Sequence, residues 1–455
     1  MKYLVTIWDA GGSVPPELAV VRRLVEHGHR VDALAGPPLQ PAVEAAGATF
    51  RPWRQVPHRA GPDEPDPFTD TGLPGPKILQ LLLDRVVSGP AAQYAEEVGE
   101  ALDAHGSEAL VSSMLMLGGL VAAEARGVPA AVLIPNCYLV PTPGMPPFGM
   151  SWPPARGRLG RGRIAAMNAL ASRLWDRGLP RVNALRADLG LEALRHLFDQ
   201  HRAAERVLVL TSRACDFPAE LPANVRYVGA QLDDPHWANE AGAAPPLSVG
   251  DDQSGLPPQC PGGDEPLVLV SMSTTEMGQL DLLQRTVAAL DRLSVRGLVT
   301  TGPGVDPGQV EGTDRIAVVP AAPHTRILPH ASVVVSHGGH GTVVKALAAG
   351  LPQLVMPLGR DQPNNAARVV DRGVGLALEP AATADAIARA VEQLLEDPEV
   401  AHRAAELGAI IRADAEGTTV VEHLEDMVAH PSNSRSPSNS TSADVAARPD
   451  RRRGQ

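Results

Sequence analysis

The stretch 333-VVVSHGGHGTVVKALAAGLPQLVMPLGRDQPNNA-366 opens on a β-branched run, breaks at a cluster of glycines and resumes with apolar residues at helical spacing. The pattern predicts a buried strand at about 333–337, a helix at about 341–349 and a second strand at about 353–357. Strand, turn, helix and strand in that order form a βαβ unit, and hence a parallel sheet. Gly338, Gly339 and Gly341 leave the turn without Cβ atoms, so a ligand can approach the unpaired N–H groups at the start of the helix. Those groups and the helix dipole suit a pyrophosphate, to which His337 adds a side-chain donor. Asp361 and Gln362 follow the next strand, where they suit the vicinal hydroxyls of a sugar. The competing reading of Asp361 is a cap for the helix predicted at about 361–372.

The unit belongs to a longer series. Strands are predicted at about 267–273, 297–302 and 316–320, with helices at about 279–292 and 324–330 and a helical stretch from 383 to 429. The first half repeats the alternation, with strands at about 2–8, 30–35, 48–53, 109–113, 129–135 and 207–212. Its first helix opens at Pro15 and Pro16, carries Leu18, Val21 and Val25 at helical spacing and ends near Gly28. The expected fold is therefore α/β, with two Rossmann-like doubly wound domains facing each other across a cleft. Residues 1–229 would form the first domain, 230–266 a linker and 267–412 the second domain. A final helix at 413–430 is expected to pack back on the first domain, and the Ser-, Asn- and Arg-rich segment 431–455 to be disordered. Two Pro- and Gly-rich stretches, 54–76 and 136–160, follow predicted strands and should be long loops at the carboxyl edge of the first sheet, where open α/β folds bind ligands.

Composition narrows the partners. A formal net charge of −12 disfavours nucleic acid, which needs a basic face. Cys137, Cys215 and Cys260 are odd in number and widely spaced, which argues against a disulfide framework or a structural zinc site and favours the cytoplasm. No apolar run is long enough to span a membrane. A small-molecule partner fits best, and a homodimer is compatible with the sequence.

The His337-Gly338-Gly339-x-Gly341-Thr342 run, the Asp361-Gln362 pair, 271-SMSTT-275, 300-TTGPG-304 and 322-APHTRIL-328 resemble the donor domain of nucleotide-sugar-dependent glycosyltransferases of the two-Rossmann-domain, GT-B architecture. Within that family the chain is most similar to actinobacterial enzymes that glycosylate natural products or glycolipids. The resemblance covers residues 1 to about 430 and is strongest from 267 to 372. It implies that His337, Gly338, Gly339, Gly341 and Thr342 hold a diphosphate, with Ser273 and Thr274 contributing from the facing loop. Pro323 and His324 would lie near the base, and Asp361 and Gln362 would hold the donor sugar. His340 occupies the variable position of the motif and would only line the cleft. Many UDP-sugar enzymes of the family carry a Glu on the helix after the turn, where this chain has Lys345. A deoxyribose has no 2′-hydroxyl to recognise, so the change favours a dTDP-sugar over a UDP-sugar; the alternative is an exposed helix lysine without any such meaning. The implied reaction is an inverting, metal-independent transfer needing no cofactor beyond the nucleotide-sugar co-substrate.

Relatives place a catalytic His in the turn after the first strand, oriented by an Asp after the fourth. Here 8-WDAGGSVPPEL-18 puts Ser13 at the first position, and 109-ALVSSM-114 puts Ser113 at the second. A serine hydroxyl is too weak a base to deprotonate an alcohol. Asp9 and His58 are the candidate replacements. The other accounts are an acceptor acidic enough to need no base, and a non-catalytic nucleotide-sugar-binding or auxiliary protein on the same scaffold. A nicotinamide-dependent oxidoreductase is disfavoured, since neither turn carries Gly-x-Gly-x-x-Gly with a following acid. On the acceptor side, Gly12 and Ser13 would admit the acceptor beside Ser113. Tyr138, Met145 and Phe148 would form an apolar wall, or else pack their loop onto the domain.

Overall fold

The computed structural model describes residues 1–431 apart from Ala10, 59–74, Leu139, 235–237, 239–259, Glu276 and Thr418. Most of the expected loop at 54–76, most of the expected linker and the segment from 432 onward thus lie outside the described residues.

The first sheet has seven parallel strands in the order β3-β2-β1-β4-β5-β6-β7. They are β1 Lys2–Thr6, β2 Arg30–Ala35, β3 Thr49–Pro52, β4 Ala109–Ser113, β5 Ala130–Ile134, β6 Arg206–Val209 and β7 Val225–Tyr227. Alternation along each strand supplies both faces. Leu4, Leu110, Val132 and Val207 pack in one core, while Tyr3, Val5, Val111 and Leu208 pack in another on the opposite face. The second sheet is parallel in the order β10-β9-β8-β11-β12-β13. Its strands are β8 Leu267–Ser271, β9 Arg296–Thr300, β10 Ile316–Val319, β11 Ala331–Ser336, β12 Gln353–Val355 and β13 Gly375–Ala377. The fold is two doubly wound α/β domains, as the sequence pattern predicts.

Two edge strands escape the sequence reading. β7 and β13 are three residues each. Runs that short carry no periodicity to detect, and only pairing with β6 and β12 defines them. The loop expected at 136–160 is cut short by a helix at Gly157–Trp175, and that at 54–76 by a helix at Gly75–Leu82.

The chain crosses between domains twice. The helix Pro398–Glu416 packs Ala404 and Ile411 against Val343 and Leu347 of the second domain. The last helix, Thr419–Ala429, instead buries Val420, Val421, Leu424 and Met427 in the core that holds Tyr3, Val5 and Leu24 of the first. The domains also meet through a buried ion pair. Arg368 donates to Asp216 Oδ1 at 2.9 Å from Nε and 2.6 Å from a terminal nitrogen, and its guanidinium stacks 4.5 Å from the Phe217 ring centre. Burial alone would raise the Asp216 carboxyl, but the Arg368 charge and hydrogen bonds from Tyr227 and the Tyr138 amide carry it below its ordinary value.

Candidate active site

A cleft of about 680 Å³ opens between the two sheets at their carboxyl edges. One wall is the turn after β11. The helix His340–Ala348 begins there, with Gly339 as its N-cap and no side chain bonded to its first amides. Those N–H groups stay available to an anion. Gly338 adopts φ +87°, and a Cβ there would stand 2.7 Å from Val355 Cγ1, so the position admits glycine alone. At Gly341 nothing lies within 4 Å of where a Cβ would be, which leaves the backbone open to the cleft.

His337 is 7 % exposed, and its Nδ1–H donates to the Ser271 carbonyl at 3.4 Å. A carbonyl only accepts, so Nε2 carries the lone pair of the neutral ring and faces the glycine turn; a Cβ on Gly339 would collide with it at 2.6 Å. Burial pushes the ring down to about 4, and Arg360 adds to the effect. An arriving diphosphate brings negative charge to that nitrogen. Opposite the turn, Ser273 Oγ accepts from the Thr275 amide at 3.2 Å, fixing the loop after β8.

The sugar-side pair sits at the head of the helix Gln362–Asp371. Asp361 is half-buried on the cleft wall, and its removal from water raises its carboxyl above the ordinary value against the pull of an Asn365 hydrogen bond. It does not bond the helix amides, so capping does not account for it. Gln362 Oε1 accepts from the Leu358 and Gly359 amides at 2.7 and 3.1 Å, which turns its amide nitrogen toward Met277 Sδ. Arg360, immediately before the pair, takes φ +58°, the sole non-glycine with positive φ among the described residues.

Lys345 is not the exposed helix lysine considered from sequence. Its side chain is buried and its ammonium lies 2.7 Å from Asp234 Oδ1. Burial would raise the Asp234 carboxyl, and Lys345 together with two hydrogen bonds from Thr325 holds it lower instead. The neighbouring His324 ring is neutral, pushed down to about 4 by burial and by Lys345. A paired lysine thus stands at the cleft edge.

The opposite wall is the turn after β1. Asp9, Gly11, Gly12 and Ser13 line the cleft, joined by Pro135 and Asn136 after β5. Gly11, at φ +60°, is the point of closest approach: a Cβ there would be 3.4 Å from Thr275 Cγ2 and 3.5 Å from Thr274 Oγ1. Beneath this turn lies a group that the sequence reading did not single out. Glu17, one helical turn after Ser13, is 1 % exposed and its carboxyl is pushed up to about 8 by burial, the nearby Ser113 hydroxyl pulling the other way. The pair of positions that would hold the family's His and Asp is occupied by two hydroxyls over a neutral carboxylic acid.

Of the predicted donor residues, Ser273, Thr274, His324, His337, Gly339, Gly341, Thr342, Asp361 and Gln362 all line this cleft. Gly338 lies under the turn, and Pro323 is the residue before the short helix His324–Ile327. Four acceptor-side expectations are corrected. His58 is exposed outside the cleft, its Nδ1–H donating to the Val56 carbonyl at 2.7 Å. Tyr138 and Met145 are 3 % and 1 % exposed and belong to the core of the first domain, so they pack the loop rather than form a wall. Phe148 is 44 % exposed and does not line the cleft. Ser113 is buried below it.

Two parallel-sheet domains with a glycine-turn anion site in the second define the GT-B architecture. Residues 295–427 match the family model described as erythromycin biosynthesis protein CIII-like, C-terminal domain. The chain is 27 % identical over 433 residues to the 4′-demethylrebeccamycin synthase of Lentzea aerocolonigenes, covering 94 % of this chain and 99 % of that one. In fold it is similar to the crystal structure of the kitacinnamycin glycosyltransferase, with TM-score 0.70 and 23 % identity over 94 % of this chain and 98 % of the other. It is similar as well to the glycosyltransferase VinC in complex with dTDP, with TM-score 0.64 and 18 % identity over 94 % of this chain and all of the other. In fold the chain is a GT-B protein, and in sequence it is similar to glycosyltransferases of natural products. No helix among the described residues is long and apolar enough to cross a membrane.

Proposed function

We propose that the protein is an inverting, metal-independent glycosyltransferase that moves a sugar from a dTDP-sugar to a hydroxyl of a small hydrophobic acceptor such as a polyketide, a phenol or a lipid. The observation that carries the reading is the cleft itself. An uncapped helix start with His337 and the Asp361-Gln362 pair stand on one wall, and a glycine turn bearing Asp9 stands on the other.

The acceptor oxygen attacks the anomeric carbon from the face opposite the diphosphate, and the C1–O bond breaks with its electron pair passing to the β-phosphate. Inversion follows from that geometry. Helix amides, and His337 once it takes up a proton beside the diphosphate, supply the positive potential that the leaving group needs, and the two walls hold the reactants in line. Asp9 takes the acceptor proton. It is the ionisable side chain of the acceptor-side turn, whereas His58 is outside the cleft. The Lys345–Asp234 pair stands where a lone carboxylate would read a 2′-hydroxyl, which supports a deoxyribonucleotide. The similarity to VinC, whose structure contains dTDP, supports the same choice.

Mass spectrometry of products from a screen of dTDP- and UDP-sugars against phenolic, polyketide and lipid acceptors tests the reading. Transfer with a dTDP-sugar is the expected result. Tight nucleotide binding without turnover on any acceptor would replace it with an auxiliary, non-catalytic role, a reading favoured by the serines at positions 13 and 113.

A further inference from the structure

The helix Gln362–Asp371 has two working faces. Asp361, Gln362 and Asn365 look toward the donor: Asn365 Nδ2 donates to the Gly338 carbonyl at 2.8 Å and to Asp361 Oδ2 at 3.0 Å, tying the sugar-side carboxylate to the phosphate turn. Asn364 and Arg368, four residues apart and so on one face, look toward the first domain. Arg368 makes the buried pair with Asp216. Asn364 is fully buried, and its amide group bonds entirely to the loop that follows β5. Its Oδ1 accepts from the Gly149 amide at 2.6 Å, and its Nδ2 donates to the carbonyls of Pro147 at 2.9 Å and Met150 at 3.2 Å.

The first half of that loop is held to the first domain, where Asn168 Nδ2 donates to the Thr142 and Met145 carbonyls at 2.8 and 2.9 Å and the Met145 side chain is buried. Pro141, Pro143, Pro146 and Pro147 remove amide donors, and no helix or strand forms before Gly157. Farther back, the same segment brings Asn136 to the cleft wall. Three backbone groups of the loop therefore find their partners in one side chain of the opposite domain, two residues from the donor-sugar glutamine.

We propose that Asn364 is a positioning residue that, through its hold on residues 147–150, sets the segment carrying Pro135 and Asn136 on the cleft wall against the donor-sugar pair, so that the sugar passes to the acceptor rather than to water. The inference rests on the transferase reading above and specifies how its two subsites are coupled. Without the Asn364 bonds the loop loses its register to the helix, while Asp361 and Gln362 keep theirs through Asn365 and the Leu358–Gly359 amides.

The test compares wild type with Asn364→Ala and with Asn364→Ser, both of which lack the amide group that makes the three bonds. Four quantities are read: acceptor KM and kcat, donor hydrolysis without acceptor, dTDP affinity by calorimetry, and amide hydrogen exchange of residues 146–150. The expected result is a tenfold or greater loss in kcat/KM for the acceptor and a raised ratio of hydrolysis to transfer. Exchange at 149 and 150 should quicken, and dTDP affinity should stay within twofold. Should Asn364→Ala fail to fold, Asn364→Ser, which brings no charge into the buried site, carries the same expectations at smaller amplitude. Transfer within twofold of wild type, or dTDP affinity falling in step with transfer, overturns the proposal. A wild type that binds dTDP yet transfers nothing overturns the transferase reading and the consequence for transfer with it, while unchanged exchange in the variants overturns the tether by itself.

Discussion

The two glycine turns that face each other across the cleft are built alike and equipped differently. Each follows a central strand of its sheet and opens a helix. The donor-side turn is specified atom by atom: Gly338 tolerates no Cβ, His337 is pinned to Ser271, and the first helix amides are left uncapped. The acceptor-side turn is spacious. Nothing lies within 4 Å of a Cβ built on Gly12, and Ser13 makes no capping bond. A diphosphate carries charge that must be matched by donors in fixed places, whereas an acceptor needs room and one group to take a proton. The first demand leaves a sequence signature; the second hardly does.

Experiments on both turns would break or sharpen that contrast. The largest effect is expected on the donor side, where His337→Ala should lower kcat/KM by about 10²–10³-fold, the scale on which preorganised donors to developing charge act. The same ring carries a pH dependence. Unliganded it is neutral, at about 4, and a diphosphate raises it, so the complex holds more protons than the free protein near neutral pH. Calorimetry in buffers of different ionisation enthalpy should register proton uptake on dTDP binding, and affinity should fall as pH rises. Heats independent of buffer would show that the turn binds through its amides alone.

On the acceptor side, Asp9→Asn should lower kcat by about 10²-fold, at the low end for a general base, and leave dTDP affinity unchanged. His58→Ala should leave both alone. If Asp9→Asn keeps full activity, the acceptor ionises without help and the turn contributes only space.

Glu17→Gln is expected to stabilise the protein in a pH-dependent way. The folded carboxyl sits near 8 against 4.5 for an ordinary glutamate, so below pH 4.5 both states hold the proton and the group is neutral in effect. Between 4.5 and 8 the unfolded chain releases the proton and the folded one does not, so stability drains away as pH rises. Denaturant unfolding of Glu17→Gln at pH 8 should show a gain of up to about 4 kcal/mol that vanishes toward pH 4.5, each pKa unit corresponding to about 1.4 kcal/mol. A loss of stability at every pH would mean that the acid makes bonds the amide cannot. The smallest effect belongs to Gly12→Ala, expected to change stability by less than about 0.5 kcal/mol, as surface substitutions do. An acceptor KM that rises while the melting temperature holds would place the acceptor against this turn.

Much of the architecture is legible in the residues. Runs such as 267-LVLVS-271 and 333-VVV-335 announce buried parallel strands, and Pro15 with Gly28 brackets the first helix. The donor cradle is legible as well, because glycines at fixed intervals are demanded by backbone approach. Tyr138 and Met145 misled for a physical reason. An apolar side chain on a loop serves a pocket or a core equally well, and only the packing of that loop over Val132 and Phe217 decides for the core. Glu17 was invisible because a glutamate on the first turn of a helix ordinarily faces water. Asn364 and Asn365 stood in plain view in 363-PNNA-366, but two adjacent asparagines carry no period or spacing that assigns them to opposite faces.

The last helix has a consequence for how the molecule is made. Val420, Val421, Leu424 and Met427 complete a core whose other members include Tyr3 and Val5. A ribosome delivers those two groups at opposite ends of its work, so the domain begun first is closed last. Until the last helix emerges the earliest strand has an open flank, while the later domain, whose last strand ends at Ala377, already has its complete sheet and can act as the fixed body on which the final helix turns back.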